Sequence, residues 1–282
     1  MLTLLEVLNR TAAYLEEKGV ENPRLDAQWL LAEVLGMKRL DLYVQSERPM
    51  RERELEALRP LVRRRAAREP LQYVLGETEF HGLRFKTDRR ALIPRPETER
   101  LVELILVRAE PPPSRLLDLG TGTGALALTL LRAWPGAAAV AVDCSEAALE
   151  LARENAERLD LAGRVRFRAA DWYGGLEDDE RFDLIVANPP YLTGEEWAVA
   201  EPEVKDFEPR EALEADRSGR AALETIIAGA GPFLAPGGRV ALETGVDQHE
   251  ALRALARECG FAEAESARDY HHRDRYLFLT AR

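Results

Sequence analysis

From residue 115 onward the chain alternates short apolar runs with longer stretches whose apolar residues recur at helical spacing, and few folds accommodate that rhythm. The runs at 115–119, 138–143, 165–169, 182–187 and 239–243 have strand length. The stretches near 126–134, 146–159, 220–234 and 248–259 read as helices. Strands and helices in this order build a mostly parallel sheet covered on both faces, an α/β architecture. The tail, 275–282, reads as one more strand with no helix behind it, and no internal repeat is present.

The turn after the first of these strands reads Asp118-Leu119-Gly120-Thr121-Gly122-Thr123-Gly124 and opens a helix. Glycines let the backbone turn tightly and admit a ligand where a Cβ would block it. Asp143 closes the next strand, where a carboxylate can accept both hydroxyls of a ribose. Together these features point to a nucleoside cofactor. The dinucleotide fingerprint is G-x-G-x-x-G, whereas this loop is G-x-G-x-G, and no phosphate-binding G-x-x-x-x-G-K-[ST] loop is present. The tighter spacing fits S-adenosylmethionine, whose amino-acid end carries no pyrophosphate and whose carboxylate suits backbone N–H groups at a helix start. Asp171-Trp172, just beyond the third strand, falls beside the expected adenine. Trp172 can stack there and Asp171 can accept from the exocyclic amine, although burial to anchor a loop is an ordinary role for a tryptophan.

The fourth run, Phe182 to Ala187, ends in Asn188-Pro189-Pro190-Tyr191. Proline fixes its own φ and drives the preceding residue into extended geometry, so Asn188 is held rigidly at a strand's carboxyl end, where open α/β sheets place their ligands. The amide oxygen of Asn188 and the carbonyl of Pro189 are two acceptors converging on one point. They suit a planar –NH2 group, either a carboxamide or the exocyclic amine of a base, with Tyr191 offering a flat face or a hydroxyl.

The first 70-odd residues are helical in pattern. Leu4, Leu5, Leu8, Ala12 and Leu15 recur at one spacing, and Ala27, Leu30, Leu31, Val34 and Leu35 at another, after Asn22-Pro23 as cap and first turn. A third segment, 51–68, contains Pro60, which is expected to kink or divide it. Residues 71–85 read as a hairpin, giving domains at 1–75 (helical), 76–94 (hairpin linker) and 95–282 (catalytic). Net charge is −11, from 39 basic and 50 acidic residues, which disfavours a polyanion partner. The cluster Arg63-Arg64-Arg65 with Arg68 reads as the wet face of a helix, with RNA contact the sharper alternative. The acidic segment 195–208 reads either as a rim over the substrate or as a solvated loop. Only Cys144 and Cys259 are present, and the four histidines lack metal-ligand spacing, so neither disulfides nor a metal site is expected. Without an apolar run long enough for a bilayer or a secretory leader at Met1, a cytoplasmic protein is expected. Nothing demands more than a monomer.

Taken in order, several segments make the chain resemble the N5-glutamine methyltransferases of peptide chain release factors (the PrmC/HemK family) along almost its whole length. They are Arg63-Arg64-Arg65 with Glu69-Pro70, Gly76 with Glu79-Phe80, Leu92-Ile93-Pro94-Arg95-Pro96-Glu97-Thr98-Glu99, the Asp118–Gly124 loop, Ala141-Val142-Asp143, Asp171-Trp172, Asn188-Pro189-Pro190-Tyr191, Phe207-Glu208-Pro209 and Arg268-Asp269-Tyr270. The resemblance implies a class I S-adenosylmethionine-dependent methyltransferase fold, Rossmann-like with a mostly parallel seven-stranded sheet, preceded by a small helical domain. It implies methylation of the glutamine in the Gly-Gly-Gln tripeptide of bacterial class 1 release factors, in support of translation termination. It assigns Gly120, Thr121, Gly122, Thr123, Gly124, Asp143, Trp172 and Asn188 to the cofactor, and Asn188 to Tyr191 to the glutamine side chain. Pro60 departs from the family's pattern. The Asn-Pro-Pro-Tyr motif alone is shared with adenine and cytosine amino-methyltransferases, so a nucleic-acid substrate is the alternative; overall acidity and the lack of a base-reading domain count against it. An oxidoreductase is disfavoured by the glycine spacing, and a silent adaptor by the intact pocket motif.

Overall fold

The computed structural model describes residues 2–282, which form two compact units. The first comprises the chain up to Glu77 together with Glu201–Phe207, the second Thr78–Ala200 and Glu208–Arg282.

The N-terminal segment of the first unit holds five helices, α1 (Leu4–Glu17), α2 (Pro23–Leu35), α3 (Arg39–Val44), α4 (Glu52–Ala66) and α5 (Leu71–Leu75). The stripes seen in the sequence become its core: Leu4, Leu8, Leu15, Ala27, Leu30 and Leu31 are wholly buried or nearly so. Thr3 caps α1 in a reciprocal box with Glu6. Asn22 occupies the N-cap position of α2 without a side-chain capping bond. Two short helices, α3 and α5, were not legible, and α5 occupies the start of the stretch read as a hairpin. Pro60 does not divide α4, which runs unbroken through it. Pro60 and Glu56, whose carbonyl loses its helical partner, are both exposed, so water can take that bond.

The arginine cluster is a wet face only in part: Arg63 and Arg64 are exposed, whereas Arg65 and Arg68 turn into ion pairs. The Arg65 side chain is buried, bonded to Asp26 at 2.6 Å and Glu203 at 2.8 Å, while Arg68 reaches Glu203 at 2.6 Å and Glu201 at 3.0 Å. Arg64 forks onto Glu69 and the carbonyls of Tyr73 and Val74. These ion pairs draw Glu201–Phe207 into the helical unit, so the reading of 95–282 as one uninterrupted domain is corrected. The same contacts correct the acidic segment: Glu201 and Glu203 answer these arginines, Glu196 caps a short helix with Thr193, and Glu208 is buried. Glu195, Glu196, Glu201 and Asp206 stay exposed, so the segment is part solvated and part tied down.

The second unit begins with the hairpin β1 (Glu77–Phe80) and β2 (Leu83–Lys86), whose Phe80 and Phe85 meet edge to face. Then follow α6 (Pro96–Arg108), β3 (Arg115–Leu119), α7 (Ala125–Ala133), β4 (Ala138–Asp143), α8 (Glu146–Arg158), β5 (Val165–Ala169) and β6 (Phe182–Ala187). After the short helices α9 (Gly194–Ala198), α10 (Pro202–Lys205, in the segment that belongs to the first unit) and α11 (Asp216–Gly219) come α12 (Ala221–Ala230), β7 (Leu234–Glu243), α13 (His249–Glu258), β8 (Glu263–Arg268) and β9 (Asp274–Thr280). The main sheet has seven strands in the order β5-β4-β3-β6-β7-β9-β8, parallel except for β9, which is antiparallel to both its neighbours. Alternate residues of each central strand face opposite layers. Leu184 and Val186 pack with α6 and α7, whereas Ile185 and Ala187 pack with α12 and α13. β8 escaped the sequence reading because Glu263-Ala-Glu-Ser-Ala-Arg268 is an edge strand with few apolar residues. No helix among the described residues is long and apolar enough to cross a membrane.

Candidate active site

Chain reversal in the strand order between β3, which pairs β4 on one side and β6 on the other, opens a crevice at the strands' carboxyl ends. A cavity of about 1030 Å³, counting its mouth, lies there within the second unit. The walls include Gly120, Thr121, Gly122, Thr123, Asp143, Asp171, Trp172, Asn188 and Pro190. Gly124, Pro189 and Tyr191 do not line it. Gly124 caps α7 at φ +83°, where a Cβ would fall 2.9 Å from Leu128 Cδ1. Pro189 is buried between two lining residues.

The glycine loop is tied to β4. The N–H groups of Gly120 and Thr121 both donate to the Val142 carbonyl, at 2.8 and 3.0 Å. Asp143 accepts from the Gly122 N–H at 2.8 Å and from the Ser145 N–H at 2.9 Å, one on each carboxylate oxygen. Burial pushes its carboxyl above the ordinary value, with these backbone bonds pulling the other way. Asp118, wholly buried below the loop, accepts from the Thr121 hydroxyl at 2.7 Å and the Ala127 N–H at 3.2 Å. Its other oxygen has no partner, and burial lifts its pKa to about 7. Trp172 is half-buried with φ +46°, an unusual backbone for a bulky side chain, and strain of that kind concentrates at functional sites. Asp171 is exposed on the rim.

The Ile93-Pro94-Arg95 turn forms another wall. Glu208 holds it from behind, accepting from the Ile93 N–H at 3.1 Å and from the Arg95 guanidinium. The helix that follows, α6, brings Thr98 to Asn188.

Asn188 is half-buried, and its Nδ2 donates to Thr98 Oγ1 at 3.0 Å. The Thr98 hydroxyl donates in turn to Glu243 Oε2 at 2.8 Å, and the Tyr191 hydroxyl donates to Glu243 Oε1 at 3.0 Å. Register explains the meeting: Ala187 on β6 pairs Leu242 on β7, so Asn188 and Glu243 are the next residues on adjacent parallel strands. Glu243 has no exposure, and burial raises its pKa against the pull of its two hydroxyl partners and Arg275. Burial and the Glu243 charge push the Tyr191 phenol well above its ordinary value, so it stays a donor. Gly219, at φ +75°, lets the chain pass the motif: a Cβ there would lie 2.1 Å from the Tyr191 carbonyl oxygen.

Thr98, Glu243, Glu208 and Gly219 were not singled out from the sequence as site residues. For Glu243 a signal existed, since it is a carboxylate closing an otherwise apolar strand, as Asp143 does. Among the described residues no cluster of His, Cys, Asp and Glu could hold a metal ion. The arrangement offers a carboxylate beside the glycine loop on one side and an oriented amide on the other.

Comparison with known proteins identifies the lineage. Residues 6–76 match the PrmC N-terminal domain family and residues 98–205 the methyltransferase small domain family. A release factor glutamine methyltransferase from Geobacter sulfurreducens is 42% identical over 275 residues, 98% of this chain and 95% of that protein. One from Bordetella pertussis is 45% identical over 88% of this chain and 91% of its own. The T. thermophilus 16S rRNA N2 G1207 methyltransferase, solved in complex with AdoMet and guanosine, shares the fold with a TM-score of 0.54 at 23% identity, over 73% of this chain and 50% of that one. By its near full-length likeness to these relatives, the chain belongs to the release factor glutamine methyltransferase family.

Proposed function

We propose that this protein transfers a methyl group from S-adenosylmethionine to the side-chain nitrogen of the glutamine in the Gly-Gly-Gln tripeptide of class 1 peptide chain release factors. The observation that carries the reading is the Asn188 amide on the wall of the crevice, its nitrogen already engaged by Thr98 and its oxygen left to accept. Family membership supplies the substrate class.

The cavity fits the cofactor. Gly120 and Gly122 hold positive φ on its wall, at +72° and +55°, a backbone that strains any residue with a Cβ. Asp143 suits a ribose and Trp172 a flat base. When bound, S-adenosylmethionine supplies an electrophilic methyl on a sulfonium centre.

A carboxamide nitrogen is a poor nucleophile because its lone pair is delocalised into the carbonyl. Asn188 Oδ1 accepts one N–H of the glutamine amide, and the Pro189 carbonyl accepts the other, which aims the nitrogen's lone pair into the crevice. Orientation of this kind removes several kcal/mol of barrier. Closure of the site strengthens the same contacts by excluding water. No side chain in the motif is a strong base, so the amide proton leaves once the nitrogen has become cationic, to water.

The test supplies labelled methyl donor with release factor, DNA and tRNA in parallel reactions. Label located by peptide mass spectrometry in a release-factor glutamine is the expected result. Label confined to nucleic acid would overturn the reading.

A further inference from the structure

Asn188 is useful only one way round. An Asn amide presents oxygen on one side and NH2 on the other, and the two are nearly the same shape. Prolines fix the backbone but leave the amide free to turn over, so something else must set which end faces the glutamine.

We propose that Glu243, acting through the Thr98 hydroxyl, sets the polarity of the Asn188 amide, making Thr98 and Glu243 positioning residues for methyl transfer. The proposal rests on the function proposed above and adds to it the source of Asn188's orientation. Thr98 has one hydroxyl proton, and its neighbours compete for it. Both oxygens of Glu243 face hydroxyl donors; when ionised it only accepts, and the Thr98 proton then goes to Glu243 Oε2, 2.8 Å away. Thr98 Oγ1 can then only accept from Asn188, which turns its Nδ2 toward the threonine at 3.0 Å. Asn188 Oδ1 is left as the end available to a guest N–H. A flipped amide would set its oxygen against the lone pairs of Thr98 in a buried place and leave both groups without a hydrogen bond.

The surrounding contacts keep the relay in one state. Tyr191 donates to the second oxygen of Glu243, so both carboxylate oxygens face hydroxyl donors. The Tyr276 hydroxyl donates to the Glu97 carbonyl at 2.8 Å, fixing the first turn of α6 beside Thr98. Thr98 and Glu243 are 5% and 0% exposed, so bulk water does not compete for these bonds.

Glu243→Gln separates polarity from packing. The glutamine has nearly the same volume, but one of its two ends donates. With its oxygen accepting from Tyr191, its NH2 faces Thr98. The threonine proton then turns to Asn188 and draws the amide oxygen inward, so NH2 faces the substrate. Every bond in the network survives, with the two that involve Thr98 reversed. The expected result is a loss of kcat of about 100-fold, the scale of misplaced reacting groups. Affinity for S-adenosylhomocysteine falls by much less than kcat, since Glu243 itself does not line the cavity. Thr98→Val, which removes the hydroxyl, loses kcat similarly, and Thr98→Ser, which keeps it, stays within about threefold of wild type.

A second readout needs no substrate. In 15N-labelled wild-type protein the Asn188 side-chain NH2 protons should show a nuclear Overhauser contact to the Thr98 methyl, and Glu243→Gln should abolish it. Retention of that contact in Glu243→Gln, wild-type kcat in Glu243→Gln and Thr98→Val, or an equal fall in Thr98→Ser and Thr98→Val would each overturn the relay. Failure of the wild type to label release factor would instead overturn the proposed function, and the Overhauser contact would still decide the relay.

Discussion

Asp143→Asn tests whether the carboxylate at the end of β4 is a ribose acceptor or only a brace for the glycine loop. Each oxygen of Asp143 already receives one backbone N–H, from Gly122 at 2.8 Å and Ser145 at 2.9 Å. A carboxylate has about four lone-pair sites, so two remain for the hydroxyls of a bound nucleoside. Asparagine keeps one oxygen and puts an NH2 in place of the other, opposite a backbone N–H that needs an acceptor. One ribose hydroxyl then loses a charge-assisted bond, worth about 1.5–3 kcal/mol, and the other keeps a weaker neutral one. The sum, about 2–3 kcal/mol, corresponds to an affinity loss of about 30- to 150-fold. Stability moves less, because neutralising a half-buried carboxylate whose pKa burial has raised relieves part of what the lost loop bond costs. Calorimetric titration with S-adenosylhomocysteine gives the affinity, and steady-state kinetics at saturating donor should show KM for the donor rising while kcat stays within about fivefold. Affinity within threefold of wild type would refute the assignment of Asp143 to the cofactor. A collapse of kcat at saturating donor would instead mark the residue as part of the chemistry.

Three further perturbations follow from the same geometry. Asp118 has a folded pKa of about 7 against an ordinary 3.8, so between those values the folded state holds a proton that the unfolded state has lost, and stability falls as pH rises from 4 to 7. At 1.36 kcal/mol per unit the contribution is about 4 kcal/mol, and the difference in urea stability between wild type and Asp118→Asn should change by that amount across the range; a constant difference would refute it. Arg65→Ala strips the partner from buried Asp26 and from Glu203, and chemical denaturation should register a loss of about 3–5 kcal/mol, with an effect below 1 kcal/mol counting against the buried network. Gly219→Ala combines a left-handed backbone with a Cβ placed 2.1 Å from the Tyr191 carbonyl oxygen, so it should lower stability by about 2 kcal/mol or more and slow methyl transfer by moving the motif. Unchanged melting and turnover would show that α11 passes the motif more loosely than the structure has it.

The difference between what could and could not be read from the residues follows the range of the forces involved. Strand and helix positions in the second unit depend on burial patterns a few residues long, and β3, β4, β5 and β6 lie where their apolar runs put them. The glycine loop and the proline-flanked Asn188 are also local, because their backbone restrictions act within two or three residues. Elements that rely on distant partners were invisible or misread. β8 is held as an edge strand by β9, α4 tolerates Pro60 because its orphan carbonyl faces water, and the arginine cluster is neutralised by Glu201 and Glu203, more than 130 positions away along the chain. Periodicity cannot report an ion pair of that kind, since the sequence shows only a charge and leaves its partner open.

The same distinction applies inside the site and explains why the motif is insufficient by itself. Asn188-Pro189-Pro190-Tyr191 determines where an amide sits, yet proline acts on φ and on the preceding residue, never on the χ2 angle that decides which end of the amide faces out. That choice needs a donor–acceptor asymmetry nearby, and a lone hydroxyl cannot provide one because it both donates and accepts. An acceptor-only group behind the hydroxyl breaks the tie. Buried Glu243 does so here in its ionised form, which its hydroxyl partners and Arg275 favour and its burial opposes. A buried carboxylate whose two oxygens are both taken by hydroxyl donors contributes little to stability compared with an apolar residue of its size. Its presence at the end of β7, one register step from Asn188, is therefore better explained by the orientation it imposes than by the fold it supports.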